Sequence, residues 1–203
     1  MVRLKLLVFF TVSLFLGVLV SSGCKPTNPY LYVKRGNEEY KRGDYRKAEE
    51  MFQEALKRKN DLPEAYYGLG LVYYQQRKID KAIEMFQKAR DLKPDLVEAY
   101  YQEALIYQLM GRDKQYEAIP LYEKVLEIKP DFREARMNLG LMYEKLGAFE
   151  QAKAVYEAGL KQNPNDPEIK EALQRVLDKL PPEGMTPPAP PPEEETSKEG
   201  SRE

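Results

Sequence analysis

The chain has 203 residues and an almost even balance of charge, with 32 Lys plus Arg against 33 Asp plus Glu. Because there is no basic excess to neutralise phosphates, nucleic acid is not an expected partner. Histidine is absent and Cys24 is the single cysteine, which removes the commonest general base, the commonest metal ligand and any internal disulfide. The length is sufficient for one or two domains.

Residues 1–23 have the pattern of a signal peptide that ends just before Cys24. A basic start at Arg3 and Lys5 is followed by a 15-residue apolar run, 6–20, which is too short for a confident membrane span. Small residues then precede the cysteine. The segment resembles a bacterial lipoprotein signal, which implies that Cys24 is acylated, with palmitate or a similar chain, and becomes the new N-terminus.

The lipoprotein resemblance implies a location in a bacterial cell envelope, lipid-anchored and facing the periplasm. Lys25 favours the outer membrane over the inner one, because an aspartate after the cysteine commonly marks the inner membrane. Two or more acyl chains give stable attachment to a bilayer. Residues 24–29 then form the lipidated cysteine and a short linker, whose five residues 25–29 reach roughly 17 Å when extended. An ordinary cleaved signal and an uncleaved anchor remain alternatives, since the family prefers leucine where Ser21 stands.

A repeat with a period near 34 residues follows the linker. Ala48, Ala82, Ala118 and Ala152 are spaced 34, 36 and 34 residues apart, and each opens a similar sequence phrase. Such a period is typical of helix–turn–helix solenoids, in which stacking buries an apolar face that one repeat cannot bury alone. The predicted helices are 30–42, 45–58, 63–76, 79–92, 97–110, 115–128, 133–146 and 149–162.

Recurring positions identify the repeat. The eighth position is small, as Gly36, Gly70, Ala104 and Gly140, and the second helix carries an aromatic residue, as Phe52, Phe86, Tyr122 and Tyr156. The four repeats, which resemble the tetratricopeptide repeat, are 29–62, 63–96, 97–132 and 133–166. The resemblance implies an all-α fold over residues 30–180, a right-handed α-solenoid of four helix pairs plus a C-terminal capping helix.

Repeat three has two extra residues between Gly111 and Ala118. We expect them to lengthen the turn between its helices, with Pro120 early in the second helix, where a missing amide hydrogen costs little. A special docking loop is the alternative.

The end of the chain divides into a helix and a tail. Asp166 is a good N-cap and Pro167 suits the first helical position, so 167–180 is the predicted capping helix. Residues 181–203 are rich in Pro and Glu and are expected to be a disordered, partly polyproline II tail. The tail is either a solubilising spacer or a docking peptide for a proline-reading partner.

The tetratricopeptide resemblance implies that the first helix of each repeat supplies an inner, concave binding surface. The residues assigned to this groove are Asn37, Tyr40, Tyr67, Leu71, Tyr74, Tyr101, Leu105, Gln108, Met137, Asn138 and Leu141. Tyrosine anchors interfaces because it offers a rigid apolar ring and a hydroxyl. The groove is therefore predicted to bind an apolar helix or an extended segment of a protein, unless these side chains pack within the fold.

The family also includes a clamp that grips a C-terminal carboxylate with Lys, Asn and Arg side chains. Asn37 matches one clamp position, but Val33, Gly68, Glu98 and Gln102 stand at the other four. The sequence therefore disfavours this kind of peptide binding.

Two charged residues, Arg35 and Glu103, stand where the repeat usually has leucine. A buried lone carboxylate is costly and marks a site candidate. The alternative is that Glu103 reaches water or a neighbouring Lys or Arg, and that Arg35 is exposed because no repeat precedes it.

No phosphate-cradling glycine loop, metal-ligand spacing or nucleophile–base pair is present, so we expect neither an enzyme nor a cofactor-binding or metal-binding protein. The leading hypothesis is a membrane-anchored scaffold or adaptor for protein–protein interactions in bacterial envelope assembly. A more specific version is a pilotin-like lipoprotein that assists secretin assembly in type IV pilus biogenesis or secretion. The alternative of another class is a lipid or polysaccharide carrier or accessory that uses the tyrosines.

Overall fold

The computed structural model describes residues 28–181, with the backbone alone for Arg112 and Asp113. The predicted signal peptide, Cys24 and the tail beyond residue 181 lie outside this range. All regular secondary structure between 28 and 181 is helical. The helices are α1 Pro29–Lys41, α2 Tyr45–Arg58, α3 Pro63–Gln75, α4 Ile79–Leu92, α5 Val97–Leu109, α6 Arg112–Ile128, α7 Arg133–Lys145, α8 Phe149–Gln162 and α9 Pro167–Leu177.

The described residues form two compact units. In the first unit, which extends to Pro130, α1 packs on α2, α3 on α4 and α5 on α6, and each pair also packs on the next. In the second unit, which begins at Asp131, α7 packs on α8 and α8 on α9. The predicted all-α fold of consecutive helix pairs is confirmed. No helix between residues 28 and 181 is long and apolar enough to cross a membrane.

The first unit shows why small and aromatic residues recur in register. The ring of Phe52 is 1% exposed and lies between Gly36 on α1 and Gly68 on α3. A Cβ atom added at Gly36 would lie 2.7 Å from this ring, and one added at Gly68 would lie 2.3 Å from it. Both distances are shorter than real carbon contacts, so these glycines allow three helices to meet around one phenyl ring.

The second unit has its own core. Tyr156 on α8 lies against Gly140 on α7, where an added Cβ would be 2.3 Å from the ring. Ile169, Ala172 and Val176 of α9 are buried against the same cluster. The apolar stripe of the predicted capping helix therefore covers the last pair, as a solenoid end requires.

The capping helix ends three residues earlier than predicted, at Leu177 rather than residue 180. The amides of Lys179 and Leu180 donate to the carbonyls of Val176 and Leu177, three residues back, at 3.0 and 3.2 Å. The last turn is thus of the 3₁₀ type, which is common at helix ends. The start agrees with the prediction, because the Asp166 carboxylate accepts from the amides of Glu168 and Ile169.

The extra residues of repeat three lengthen a helix, so the prediction of a longer turn was wrong. Helix α6 begins at Arg112, directly after Gly111, whose φ of +97° ends the preceding helix. The Lys114 and Gln115 amides already donate to the Gly111 carbonyl. Pro120 is consequently the ninth residue of a 17-residue helix and not an early one, and it removes the helical hydrogen bond to the carbonyl four residues back. The other predicted helix limits agree to within one residue.

Candidate functional site

The eight groove residues predicted in the first unit all lie on α1, α3 and α5, the first helices of its three pairs. Asn37 is exposed, and the other seven are half-buried. We call this surface, together with Leu109, the tyrosine face; its members are Asn37, Tyr40, Tyr67, Leu71, Tyr74, Tyr101, Leu105, Gln108 and Leu109. Half-burial means that these side chains contribute to the core and still present part of their area to solvent.

Ring packing fixes three tyrosines of the tyrosine face against the second helix of their own pair. The ring centroid of Tyr67 is 5.7 Å from that of Phe86 on α4, and the centroid of Tyr101 is 6.0 Å from that of Tyr122 on α6. Tyr40 lies 5.5 Å from Tyr45, at the start of α2. All three pairs are tilted, a geometry that aromatic rings prefer. These contacts restrict the orientations of the three tyrosine rings.

Hydrogen bonds between glutamine and tyrosine side chains join the first helices to one another. The Gln75 amide on α3 donates to the Tyr40 hydroxyl on α1 at 3.2 Å. Gln102 on α5 bonds the Tyr67 hydroxyl on α3. In each case the two residues are 35 positions apart, which is one repeat plus one residue. The pairing links α1 to α3 and α3 to α5.

The Tyr67 hydroxyl remains protonated at any physiological pH. Burial raises the pKa of Tyr67 to about 12, and the carboxylate of Glu98 adds to the increase, while the hydrogen bond from Gln102 opposes it. A neutral phenol keeps its hydrogen-bonding proton and its apolar ring, which suits an interface anchor.

Leu109 is a member of this surface that the sequence analysis did not assign. Its side chain is 70% exposed and the adjacent Met110 is 46% exposed. Leu109 is the thirteenth residue of its repeat and follows Tyr101 and Leu105 at four-residue intervals along α5, so the three side chains lie on one face of the helix. This spacing was the signal that could have identified it.

In the second unit the predicted groove residues Met137, Asn138 and Leu141 lie on α7, and all three are half-buried. Met137 packs against the cluster that α8 and α9 form. Further along α7, Glu144 accepts a hydrogen bond from the Tyr156 hydroxyl at 2.8 Å and from Arg175 of α9 at 3.1 Å. In this unit Met137 and Glu144 of the first helix therefore contact the cluster or the side chains of the capping helix.

The two charged exceptions of the sequence have structural explanations. Arg35 is exposed, as expected. Glu103 is 1% exposed; its carboxylate accepts from the Gln87 amide at 2.9 Å and lies 3.2 Å from the Arg90 guanidinium. Burial raises the pKa of Glu103, while Gln87 and Arg90 oppose the shift. The sequence analysis expected a neighbouring Lys or Arg, and Arg90 is that residue. The ion pair joins α4, which carries Arg90, to α5, which carries Glu103.

A pocket of about 230 Å³ lies in the second unit. Its walls are mainly charged or amide side chains, namely Asp131, Arg133, Arg136, Gly159, Gln162, Asn163, Asp166 and Ile169. The Arg133 guanidinium and the Asp166 carboxylate form an ion pair at 2.6 Å there. Within the part of the chain that the structure describes, no group of three or more Cys, Asp or Glu residues is placed to hold a metal ion.

Models of the tetratricopeptide repeat family match residues 33–97, 97–132 and 116–176 of the chain. The chain is a tetratricopeptide repeat protein. Such repeats mediate protein–protein interactions, and their fold is typically a non-enzymatic scaffold. A comparison with curated proteins gives no significant match.

Solved structures of similar fold include several of MamA and one of the first tetratricopeptide domain of Spaghetti (RPAP3). One MamA structure is 28% identical, covers 74% of this chain and 83% of its own, and has a TM-score of 0.61. A second is 22% identical, covers 74% and 81%, and has a TM-score of 0.64. The Spaghetti domain, solved with the HSP90 peptide SRMEEVD, is 22% identical, covers 61% and 96%, and has a TM-score of 0.55.

Proposed function

We propose that this chain is a membrane-anchored scaffold that gathers protein partners in a bacterial envelope and binds them on the tyrosine face of its first unit. The observation that carries the proposal is the row of tyrosine and leucine side chains on α3 and α5, which ends at Leu109 with 70% of its side chain exposed. Apolar side chains that are partly exposed and adjacent on one face, ending in a largely exposed leucine, are a candidate interaction site.

The energetic basis is the burial of preorganised apolar side chains. Tyr67 and Tyr101 are already fixed by their packing on Phe86 and Tyr122, so a partner orders few additional rotamers when it binds. Covering a leucine fully contributes roughly 1.5–3 kcal/mol before the entropy of association is subtracted. Leu109, which is 70% exposed, can gain most of this amount, whereas Leu71 and Leu105 are already half-buried and can gain only part of it.

Membrane attachment through Cys24 would raise the local concentration of partners without adding any contact. The sequence pattern of residues 1–24 supports this part of the proposal. Its test is the Cys24→Ser variant, in which we expect incorporation of a labelled fatty acid to be lost and the protein to leave the membrane fraction. Continued acylation of that variant would contradict the anchor.

A protein scaffold suits this surface better than a lipid carrier does. The exposed leucines lie on a helix face, where a protein segment can cover them. The pilotin-like version of the scaffold predicts that deletion of the gene abolishes secretin multimers; normal multimers would dismiss that version alone.

The scaffold proposal is tested by photo-crosslinking in cells. A photoreactive amino acid replaces Leu109 on the tyrosine face or, as a matched control, Leu92, which is 44% exposed at the end of α4. We expect discrete protein adducts from position 109 and none of these adducts from position 92. Absence of any protein adduct at position 109 would overturn the proposed function.

A further inference from the structure

We infer that the start of α1 is a membrane-contact surface, which places aromatic, leucine and basic side chains against anionic phospholipid headgroups. The inference rests on the proposed function, because it takes Cys24 as the lipid anchor, and it names the part of the chain that the bilayer contacts. We call this surface the α1 end patch; its members are Tyr30, Leu31, Lys34, Arg35 and Lys59.

The patch includes the face of α1 that later first helices bury against the preceding pair. The equivalent of Leu31 in the second repeat is Ala65, which is fully buried. The equivalent of Arg35 in the third repeat is Glu103, which pairs with Arg90 of the preceding α4. In the part of the chain that the structure describes, no helix pair precedes α1, and both Leu31 and Arg35 are exposed. This face is therefore open to a surface other than the solenoid itself.

The first turn of α1 differs from the first turns of the other three first helices. Glu64, Glu98 and Glu134 are the second residues of α3, α5 and α7, where a negative charge stabilises the helix start. The second residue of α1 is Tyr30, and its first turn has no acidic residue. A carboxylate at this point would be repelled by lipid phosphates, whereas tyrosine is typical of membrane interfaces. The repeat that follows Cys24 is thus the one that lacks the charge.

Two consecutive apolar side chains form the centre of the patch. Tyr30 is 52% exposed and Leu31 is 45% exposed. The Lys59 ammonium, at the end of α2, donates to the Tyr30 hydroxyl at 3.0 Å and lies 5.4 Å from the ring centroid. The Asp61 carboxylate, 3.9 Å from this ammonium, is its ion-pair partner. The aromatic ring, the leucine and a cation therefore lie together at the start of α1, a combination suited to the headgroup region.

The chain between the anchor and the middle of α1 carries positive charge alone. Residues 24–37 contain Lys25, Lys34 and Arg35 and no Asp or Glu. Lys34 and Arg35 each follow one of the two apolar residues by four positions, so they lie beside them on the helix surface. Basic residues close to a bilayer are attracted to anionic lipids, and the attraction falls off within a Debye length.

The anchor is short enough to hold the patch at the bilayer. Residues 25–29 separate Cys24 from Tyr30, and five residues extend over roughly 17 Å at most. The polar headgroup region of one leaflet is itself about 5–8 Å thick. An acylated Cys24 would therefore keep the start of α1 within reach of the headgroups.

The test uses the full chain, acylated in the cell and reconstituted into vesicles. An environment-sensitive dansyl amino acid replaces Leu31 or, as a matched control, Leu92, which is 44% exposed at the end of α4. The vesicles contain a headgroup spin-labelled lipid in phosphatidylcholine, with or without phosphatidylglycerol. We expect quenching at position 31 to be at least about twofold stronger in the anionic vesicles than in the neutral ones. Emission from position 92 should be nearly unchanged in both.

Charge variants identify the groups that hold the patch on the bilayer. Lys34→Gln combined with Arg35→Gln should remove at least about half of the additional quenching that anionic lipid causes at position 31. The control combines Lys161→Gln with Lys170→Gln, which removes the same charge from two exposed lysines of the second unit, and it should leave the quenching unchanged. Circular dichroism confirms that each variant remains helical.

Equal quenching at positions 31 and 92, equal quenching in the two kinds of vesicle, or equal effects of the two double variants would overturn the inference. A spectral change at position 31 that depends on protein density and not on anionic lipid would assign this face to a second copy of the chain, and would also overturn it. If the chain floats with the vesicles while position 31 is not quenched, the proposed membrane anchor stands and this inference fails. If the chain does not float with them, both fail.

Discussion

The first helices of the two units use the same repeat positions for different purposes. In the first unit, α5 presents Leu105 half-buried and Leu109 largely exposed, with no charged side chain between them. In the second unit, α7 has Leu141 at the position equivalent to Leu105, but Glu144 nearby is bound by Tyr156 and Arg175. One repeat pattern thus supplies an open apolar surface at one place and a closed, ion-paired end at another.

The comparison shows that the fold alone does not define a binding surface. Both units place a small residue against an aromatic ring, Gly68 against Phe52 in the first and Gly140 against Tyr156 in the second. These residues determine how helices pack and are common to both units. The difference arises near the ends of these first helices, where α5 has Gln108 and Leu109 and α7 has Glu144 and Lys145 at the equivalent positions, and Glu144 is bound by Arg175 of the capping helix.

The largest stability effect is expected from the aromatic residue that three helices share in the first unit. Phe52→Ala should reduce the free energy of unfolding by about 3–5 kcal/mol, because it removes a fully buried ring and leaves a cavity between two glycines. Urea denaturation followed by circular dichroism measures the loss. A reduction of less than about 1 kcal/mol would mean that the packing of these three helices does not depend on the Phe52 ring.

The closed end of the second unit depends on Asp166, which caps α9 and pairs with Arg133. Asp166→Ala should cost about 1–2 kcal/mol, since an N-cap and a charge-assisted hydrogen bond are lost together. Asp166→Asn retains capping ability and should cost less. Thermal denaturation of the two variants at neutral pH measures the difference; equal losses would contradict a separate role for the N-cap, and no loss in Asp166→Asn would contradict a role for the ion pair.

Asp166 also makes the stability of the second unit depend on pH in the acid range. Arg133 holds the pKa of Asp166 below its ordinary value. The stability due to this carboxylate is therefore present above the unfolded-state pKa of about 3.9 and is lost as the pH falls through the lowered folded-state pKa. The Asp166→Asn variant should lack this part of the acid dependence; an unchanged profile would show that other carboxylates produce it.

A smaller effect of opposite sign is expected in the first unit at Glu103. Burial raises the pKa of this carboxyl group, so its contribution to stability is fully present below the unfolded-state pKa of about 4.3 and is lost as the pH rises through the folded-state pKa. Glu103→Gln should therefore be as stable as the parent chain at neutral pH, or more stable by up to about 1 kcal/mol. Destabilisation of the Glu103→Gln variant by more than about 1 kcal/mol would show that the ion pair between Glu103 and Arg90 is net favourable.

The smallest effect concerns the turn between α3 and α4. Arg77 has a φ of +61°, whereas the equivalent turns use Gly43, Gly111 and Gly147. Because left-handed backbone is unfavourable for residues with a Cβ atom, Arg77→Gly should stabilise the chain by about 0.5–1 kcal/mol. A lower melting temperature would indicate that the Arg77 side chain makes a stabilising contact.

The sequence predicted the repeat and its caps well because these features are local. Helix limits followed from the period and from turn residues, and Asp166 was recognisable as an N-cap from its position before proline. The start of α6 was not predictable in this way. Two inserted residues can extend either a turn or a helix, and in the structure they extend α6, which begins directly after Gly111.

The tyrosine face was predictable only in part. The family pattern indicates which residues of each first helix lie on the inner side, and this identified Tyr67, Tyr101 and Leu105. The bonds from Gln75 to Tyr40 and from Gln102 to Tyr67 depend on contacts between helices one repeat apart, which no single segment reveals.

The most direct test of the central claim compares the equivalent leucines of the two units, Leu105 and Leu141, which are both half-buried. Each is changed to Gln in the chain that carries the photoreactive amino acid at position 109, and the yield of protein adducts in cells is measured at matched expression levels. The account predicts a large loss of adducts for Leu105→Gln and a nearly unchanged yield for Leu141→Gln. An unchanged yield for Leu105→Gln, or an equal loss for both, would contradict it.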